Sequence, residues 1–346
     1  MRKFNVAVVG ATGAVGEELL LVLEKYNFPI NKLIPLASSR SAGSRVEYLN
    51  KEVVVLELTE TCFEENDVEI AFFSAGGSIS EQFAKFAVEA GAVVIDNTSH
   101  FRMDPKVPLV VPEVNPEDIK SWRDTGIIAN PNCSTIQMVM SLKPLDELYG
   151  IKRVDVSTYQ AVSGAGKIGM EELVHQMQDF FAFKLDESET KAFPYQIALN
   201  VIPQIDVATD NGFTKEEMKM IKETQKIMKK NINIAATCVR VPVLRSHSES
   251  ITVTFEDGVD VDLEKVREVL GNFENVEVID DLPNKKYPMP IISTDTDITY
   301  VGRIRKDIYS SNMIHYFNVA DQVRVGAATN AVRIALKWVD LENDSI

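Results

Sequence analysis

Cysteine is scarce in this chain: its 346 residues hold three, Cys62, Cys133 and Cys238. An odd number without metal-ligand spacing speaks against both a disulfide framework and a zinc site, so no metal is expected. Positive charge is short as well, with 36 Lys and Arg against 51 Asp and Glu and a net charge of −15. A nucleic-acid partner is therefore not expected, and any anion the protein binds must meet local positive charge. Long apolar runs are missing, none approaching the roughly 20 residues that cross a bilayer, so no membrane partner is expected. The opening Met1-Arg2-Lys3-Phe4-Asn5-Val6-Ala7-Val8-Val9-Gly10 lacks the apolar region and small-residue cleavage site of a secretory signal. A reducing cytoplasm is the expected location.

What is present is 45% apolar residues, enough at this length for two domains that bury about three-quarters of the unfolded surface. Short apolar runs recur at Phe4 to Val9, Lys32 to Ala37, Ile70 to Ser74, Val93 to Ile95 and Ile127 to Ala129. Helix-length stretches such as Glu17 to Tyr26 and Ser80 to Ala90 lie between them. That alternation predicts an α/β domain with a parallel sheet covered on both faces. Beyond residue 132 the pattern changes to longer amphipathic helices (Met170 to Phe181, Lys215 to Lys230, Leu263 to Phe273) and alternating strands such as Ser250 to Phe255. A second, α+β domain with an antiparallel or mixed sheet is expected. The expected limits are 1–132 and 133–324, with a C-terminal helix over 325–346 packing back on the first domain.

The first strand runs into Gly10-Ala11-Thr12-Gly13-Ala14-Val15-Gly16 and then a helix. Glycines let a backbone approach a pyrophosphate, and the helix N-terminus offers N–H groups and partial positive charge. The spacing is G-x-x-G-x-x-G, weak as a bare pattern and stronger between a first strand and first helix. An ordinary glycine-rich turn is the alternative. The next strand ends in Ser38-Ser39-Arg40-Ser41, where an NAD site usually places an acid on the ribose hydroxyls. Hydroxyls and an arginine suit a 2′-phosphate, which favours NADP over NAD, unless Arg40 is only a solvated loop charge.

Cys133 lies in Pro131-Asn132-Cys133-Ser134-Thr135, between a strand-like and a helix-like run. At a helix start the dipole favours thiolate, the reactive form; Cys62 and Cys238 read as inert. A thiolate that forms an acyl intermediate needs a proton donor and acceptor. Of the four histidines, His175 reads as helix surface, His315 as strand, and His100 neighbours Arg102. His247, at a strand–turn junction in Arg245-Ser246-His247-Ser248-Glu249, is the best candidate.

Taken together and in order, the glycine loop, Pro131-Asn132-Cys133-Ser134-Thr135, Gln160-Ala161-Val162-Ser163-Gly164-Ala165-Gly166, Glu216-Glu217-Met218-Lys219, and Arg240-Val241-Pro242-Val243 with His247 resemble the aspartate-semialdehyde dehydrogenase family, most of all its bacterial members. The resemblance spans nearly the whole chain. It implies an N-terminal Rossmann-type domain, a C-terminal catalytic and dimerisation domain, and a homodimer or homotetramer. The implied reaction is the NADP-linked interconversion of 4-phospho-L-aspartate with L-aspartate 4-semialdehyde and phosphate, which feeds lysine, threonine and methionine synthesis.

By the same resemblance Cys133 attacks the acyl phosphate, His247 is general acid and base, and Gln160 orients the carbonyl. Arg102, Asn132 and Lys219 hold phosphate, Arg240 pairs with the α-carboxylate, and Glu216 accepts from the α-ammonium. Gly10, Thr12, Gly13, Ala14, Val15, Gly16, Ser38, Ser39, Arg40, the backbone of Ser163 and Gly164, and Gln322 are implied cofactor contacts.

Two local readings can be checked. Thr214-Lys215-Glu216-Glu217 reads as a capping box that gives Glu217 a structural task, leaves Glu216 and Lys219 on one helix face, and puts Met218 and Ile221 on a buriable one. Arg240 and His247 are seven apart, so one unbroken strand would turn them opposite ways; Pro242 and Arg245-Ser246 permit a break. The alternatives are a related acyl-phosphate or CoA-thioester reductase (N-acetyl-glutamyl-phosphate reductase-like or malonyl-CoA reductase-like) and a non-catalytic nucleotide sensor. An acetylated amine would have little use for Glu216, a CoA thioester would not need Arg102 and Lys219, and a sensor would have no reason to keep Cys133, Gln160 and His247.

Overall fold

The structure, a computed structural model, describes residues 2–344, the last by its backbone alone. Positions 1, 345 and 346, which the expected limits include, lie outside the described residues. The chain divides into two compact units, one running to Asn132 and resuming at Ala327, the other Cys133–Gly326.

In the first unit the elements follow as β1 (Phe4–Val9), α1 (Ala14–Lys25), β2 (Ile30–Ala37), β3 (Arg45–Tyr48), β4 (Lys51–Val54), β5 (Leu56–Glu57), α2 (Cys62–Glu65), β6 (Ile70–Phe73), α3 (Gly77–Glu89), β7 (Val93–Asp96) and β8 (Ile127–Ala129). Six strands form one parallel sheet in the order β5-β2-β1-β6-β7-β8. Its central strands are apolar on both faces because both are covered: β6 and β7 are buried at every position. The chain leaves β1 towards β2 on one side and later fills the other side from β6, which makes the carboxyl ends of β1 and β6 the switch point of the sheet.

Two details differ from expectation. α1 begins at Ala14, not Glu17, because Gly13 already sits at its N-cap. The β3–β4 hairpin was not anticipated: half of its strand residues are charged, and its two turn residues, Leu49 and Asn50, adopt positive φ without glycine.

The C-terminal helix, Thr329–Asp344, belongs to this first unit. Ala331, Val332, Ile334, Ala335 and Val339 are buried in the same core as β1. Trp338 meets Phe4 and Trp122 edge-on, at 5.9 and 5.6 Å between ring centroids. A π-helical turn, Arg324–Ala328, precedes it.

The second unit comprises α4 (Cys133–Tyr149), β9 (Ile151–Gln160), α5 (Lys167–Phe181), α6 (Lys215–Met228), β10 (Asn233–Arg240), β11 (His247–Phe255), α7 (Leu263–Gly271), β12 (Val276–Val278), α8 (Pro290–Ser293), β13 (Thr299–Lys306) and β14 (Met313–Ala320). The sheet order is β10-β9-β11-β14-β13-β12. It is mixed, with β10/β9 and β12/β13 parallel and the inner pairs antiparallel. α4 packs on this sheet and against α6 and α7. His247, Glu249, Ile251, Val253 and Phe255, alternate residues of β11, are fully buried.

The capping box at Thr214 is present: the Glu217 N–H donates to Thr214 Oγ1 at 3.3 Å, and the Thr214 N–H to Glu217 Oε2 at 2.7 Å. The inward face of α6 is not the expected one. Met218 and Ile221 are half-buried, whereas Glu216, Met220, Glu223, Thr224 and Ile227 are buried. Among the described residues no helix is long and apolar enough to cross a membrane.

Candidate active site

The glycine loop of the first unit has the shape its spacing requires. Gly10 takes φ +87° at the end of β1, and a Cβ there would stand 3.0 Å from the Ala75 amide beyond β6. The Gly10 and Ala11 N–H groups donate to Leu36 at the end of β2, at 2.8 and 3.2 Å. Gly13 closes the turn onto the Gly10 carbonyl and caps α1 without a side-chain hydrogen bond. A Cβ on Gly16 would collide with the Gly10 carbonyl, so the third glycine is what lets the helix start so close to the strand.

Gly13 is exposed and Thr12, Ala14 and Val15 are half-buried. Ser38, Ser39 and Arg40 follow β2, all exposed, with no acid among them. This cradle fits a dinucleotide: backbone approach is permitted, a helix N-terminus faces outward from the sheet, and a cation stands at the end of the second strand.

Arg102 and Asn132 also belong to the first unit, and both are buried. Arg102 donates from Nε to the Asn130 carbonyl at 2.9 Å and from Nη2 to the Asn97 carbonyl at 2.8 Å. The backbone just before Cys133 thereby holds this guanidinium in place. Asn130 is tied in turn to Asn330 of the C-terminal helix, at 2.6 Å.

In the second unit the remaining side chains converge. Cys133 is the first residue of α4 and is half-buried. Gln160 ends β9, and β10 runs parallel to it with Arg240 opposite Gln160. β11 runs antiparallel on the other side of β9, and His247 is its first residue. The seven-residue separation is thus no obstacle, because Arg240 and His247 lie on different strands. Ser246 makes the break, at φ 75°.

Gln160 Nε2 lies 3.4 Å from His247 Nε2 and donates to Glu216 Oε1 at 3.3 Å, while Gln160 Oε1 accepts from Thr158 at 3.0 Å. Arg240 donates to the Ala161 carbonyl at 2.6 Å and stacks over Phe193 at 5.7 Å. A Cβ on Gly164 would stand 2.7 Å from Arg240 Nη1 and 3.4 Å from the His247 ring, so glycine there leaves room for both.

Electrostatics follow from this crowding. Burial, reinforced by Arg240, holds the His247 pKa well below its usual value, so the ring is neutral. The Ala161 N–H donates to His247 Nδ1 at 3.0 Å, which leaves the ring proton on Nε2. Burial lowers the Arg240 pKa, opposed by Glu216 and by Cys133. Burial works against the Lys219 charge, but Glu216 at 3.2 Å and Asp206 at 2.8 Å outweigh it and raise its pKa.

Ser163 is buried and accepts from Gln322, whose Oε1 takes the Ser246 N–H at 2.8 Å. Gln322 thus braces the turn that leads into His247. Cys62 and Cys238 are buried with thiol pKa values raised by desolvation. His315 binds Asp307 and Thr252, and His175 is exposed on α5.

Sequence reasoning missed three groups. Asp206 shares Lys219, the pair Arg245–Asp321 fastens the turn before β11 at 2.8 Å, and Gly326 abuts Cys133. Arg245 stands in the His247 segment, but in each case only tertiary packing reveals the contact. A half-buried thiol at a helix start, a neutral imidazole, a primary amide, a carboxylate and a guanidinium can together bind an amino acid's two charged ends and add sulfur to its side-chain carbonyl. Among the described residues no group of three or more His, Cys, Asp or Glu is placed to hold a metal ion.

Residues 5–122 match the family described as "Semialdehyde dehydrogenase, NAD binding domain", and residues 142–325 match "Semialdehyde dehydrogenase, dimerisation domain". The chain is 66% identical to the aspartate-semialdehyde dehydrogenase of Campylobacter jejuni, covering 99% of each, and 51% identical to that of Helicobacter pylori, covering 98% of this chain and 99% of the other. It is similar to the crystal structure of aspartate semialdehyde dehydrogenase II of Vibrio cholerae complexed with ASA, with a TM-score of 0.94 and 48% identity over 98% of this chain and 99% of that one. A second solved relative, the Candida albicans enzyme with NADP, matches with a TM-score of 0.75 and 27% identity over 97% and 98%. The two domain matches and these full-length similarities agree with one another and with the geometry: the chain belongs to the aspartate-semialdehyde dehydrogenase family.

Proposed function

We propose that the protein interconverts 4-phospho-L-aspartate and L-aspartate 4-semialdehyde plus phosphate, using NADP in preference to NAD, through an acyl-thioester on Cys133. The observation that carries this is the junction at Gln160, which donates to Glu216, lies 3.4 Å from the His247 ring and stands opposite Arg240 on the neighbouring strand. Glu216 and Arg240 supply complementary charges for the α-ammonium and α-carboxylate of one amino acid. They leave its side-chain carbonyl to Gln160, His247 and the thiol.

In the reductive direction the Cys133 thiolate adds to the acyl carbon, and the C–O bond to phosphate breaks as the carbonyl re-forms. The leaving phosphate takes the electron pair. Lys219, Arg102 and Asn132 are the proposed groups that bind it. His247, neutral with its proton on Nε2, donates a hydrogen bond to the oxygen that gathers charge during addition. The bound dinucleotide supplies a hydride in one direction and accepts it in the other. Collapse of the hemithioacetal returns the electron pair to Cys133 sulfur and frees the aldehyde. Gly10, Thr12 to Gly16, Ser38 to Arg40, Ser163, Gly164 and Gln322 are the proposed cofactor contacts, with Arg40 on the 2′-phosphate. A homodimer or homotetramer in the cytoplasm is the proposed working form.

The test is NADP⁺ reduction with L-aspartate 4-semialdehyde, with and without phosphate, for the wild type and Cys133→Ser. Phosphate-dependent NADPH formation that collapses in the variant is expected. A folded wild type that binds NADP⁺ and stays inactive would overturn the reading.

A further inference from the structure

Glu249 is fully buried, yet the proposed chemistry does not use it. It lies two residues beyond His247 on β11, on the same face. Four residues after Cys133, one helical turn along α4, stands the equally buried Gln137. The two positions meet: Gln137 Nε2 donates to the His247 carbonyl at 3.4 Å, and its amide engages the Glu249 carboxyl. Asn318 of β14 joins them, donating from Nδ2 to the Gln137 carbonyl at 2.7 Å and reaching Glu249 Oε2 at 3.4 Å.

We propose that Gln137, Glu249 and Asn318 form a positioning cluster that locks α4 to β11 and β14, and so sets the placement of Cys133 relative to His247. The inference rests on the roles assigned above to those two residues and adds the device that aligns them.

Packing alone does not account for the cluster. A buried carboxyl, amide and amide in place of apolar side chains costs stability unless their hydrogen bonds are made. Among the described residues no cation is paired with Glu249. Glu249 Oε1, Gln137 Oε1 and Asn318 Oδ1 are acceptors without a donor. A protonated carboxyl removes two of these three, because Glu249 Oε1 becomes a donor and one of the amide oxygens accepts from it. Burial holds the Glu249 pKa well above its usual value, as such a proton requires. Ser141 extends the cluster from α4, with its hydroxyl 2.9 Å from that of Tyr316 on β14.

The cluster is therefore a neutral, directional joint, one helical turn from the nucleophile and one strand repeat from the imidazole. Gln137→Met and Glu249→Met keep volume and remove the joint; Glu249→Gln keeps a neutral donor and acceptor.

Each variant is assayed in the full-length protein for kcat, KM and Tm, and for the rate at which iodoacetamide modifies Cys133. Both Met variants are expected to lose at least tenfold in kcat and to change the Cys133 alkylation rate by a similar factor, with KM for L-aspartate 4-semialdehyde within threefold. Glu249→Gln is expected to restore kcat to within threefold of wild type.

Met variants that lower Tm but keep wild-type kcat and alkylation would overturn the proposal, as would a Glu249→Gln variant as impaired as Glu249→Met. Should the Met variants not fold, Glu249→Asp, which keeps polarity but withdraws the carboxyl, is held to the same criteria. Wild-type turnover and the alkylation readout separate failure of this inference from failure of the proposed reaction.

Discussion

Gly326 and Cys133 are packed so closely that a Cβ built on the glycine would stand 2.6 Å from the Cys133 Cβ and 2.9 Å from its Cα. The glycine lies in the π-helical turn Arg324–Ala328, an irregularity often found at functional positions. Gly326→Ala must displace the first residue of α4. Overpacking of this kind costs about 1–3 kcal/mol, and a shift of about 1 Å in a reacting group can cost roughly 100-fold in rate. We expect kcat to fall by at least about tenfold, with a smaller change in Tm than Leu→Ala substitutions in the same core produce. A variant with unchanged kcat would show that Cys133 has slack at this side.

The three cysteines should separate cleanly. Cys62 and Cys238 are buried with raised thiol pKa values, while Cys133 is half-buried at a helix start. At pH 7 with limiting iodoacetamide, mass spectrometry should find Cys133 modified about a hundredfold faster than the other two, because the thiolate is the reactive form. Comparable labelling at all three would contradict the assignment of the nucleophile.

His247 gives stability a defined dependence on pH. Its folded pKa is depressed by burial and Arg240, whereas an unfolded histidine titrates near about 6.5. Below that value the unfolded chain takes up a proton that the native state refuses. The contribution of neutral His247 is thus complete above about pH 6.5 and declines as pH falls. Urea midpoints measured from pH 7.5 to 5.5 should drop further for the wild type than for His247→Gln. Parallel curves would mean that the ring protonates as readily in the fold as outside it.

Cofactor preference should rest on Arg40. A hydrogen bond to a charged group is worth about 1.5–3 kcal/mol, so Arg40→Ala should raise KM for NADP⁺ about tenfold or more and leave KM for NAD⁺ nearly unchanged. Equal effects on both cofactors would assign Arg40 to the loop rather than to the 2′-phosphate.

The capping box of α6 offers a stability test free of active-site chemistry. Thr214→Ala should cost about 1 kcal/mol. Glu217→Ala should cost more, because Glu217 Oε1 also accepts the buried Cys238 N–H at 3.0 Å and an orphaned buried donor costs about 1–3 kcal/mol. Denaturant midpoints that rank the two variants the other way would contradict the double role of Glu217.

How far the sequence could be read depended on whether an interaction was local. β1 and β8 have their expected limits, because an apolar run closed by glycine or asparagine carries its own boundaries. The Thr214 cap was readable because its partner is three residues away. The β3–β4 hairpin was not, since Arg45, Glu47, Lys51 and Glu52 break up its short apolar pattern and the chain turns through Leu49-Asn50.

At the site, His247 stood out by its place at a strand–turn junction, and Gln160 and Arg240 as members of a resemblance, but their meeting did not. It needs β10 and β11 on opposite sides of β9, a topology that no spacing of seven residues expresses. Gln137, Glu249 and Gly326 are silent in the sequence for the same reason: each acquires meaning only from a residue on another element.

The seating of Trp338 against Phe4 has a consequence for synthesis. A ribosome releases the first strand of the dinucleotide-binding unit more than 300 residues before the helix that completes its core. The unit cannot mature in the usual order of emergence, in which leading domains fold while later ones are still being made. Until Thr329–Asp344 arrives, Phe4 and Trp122 lack their aromatic partner. The intervening unit, contiguous from Cys133 to Gly326, can close first, so the segment made in the middle is free to fold before the one that was begun at the start.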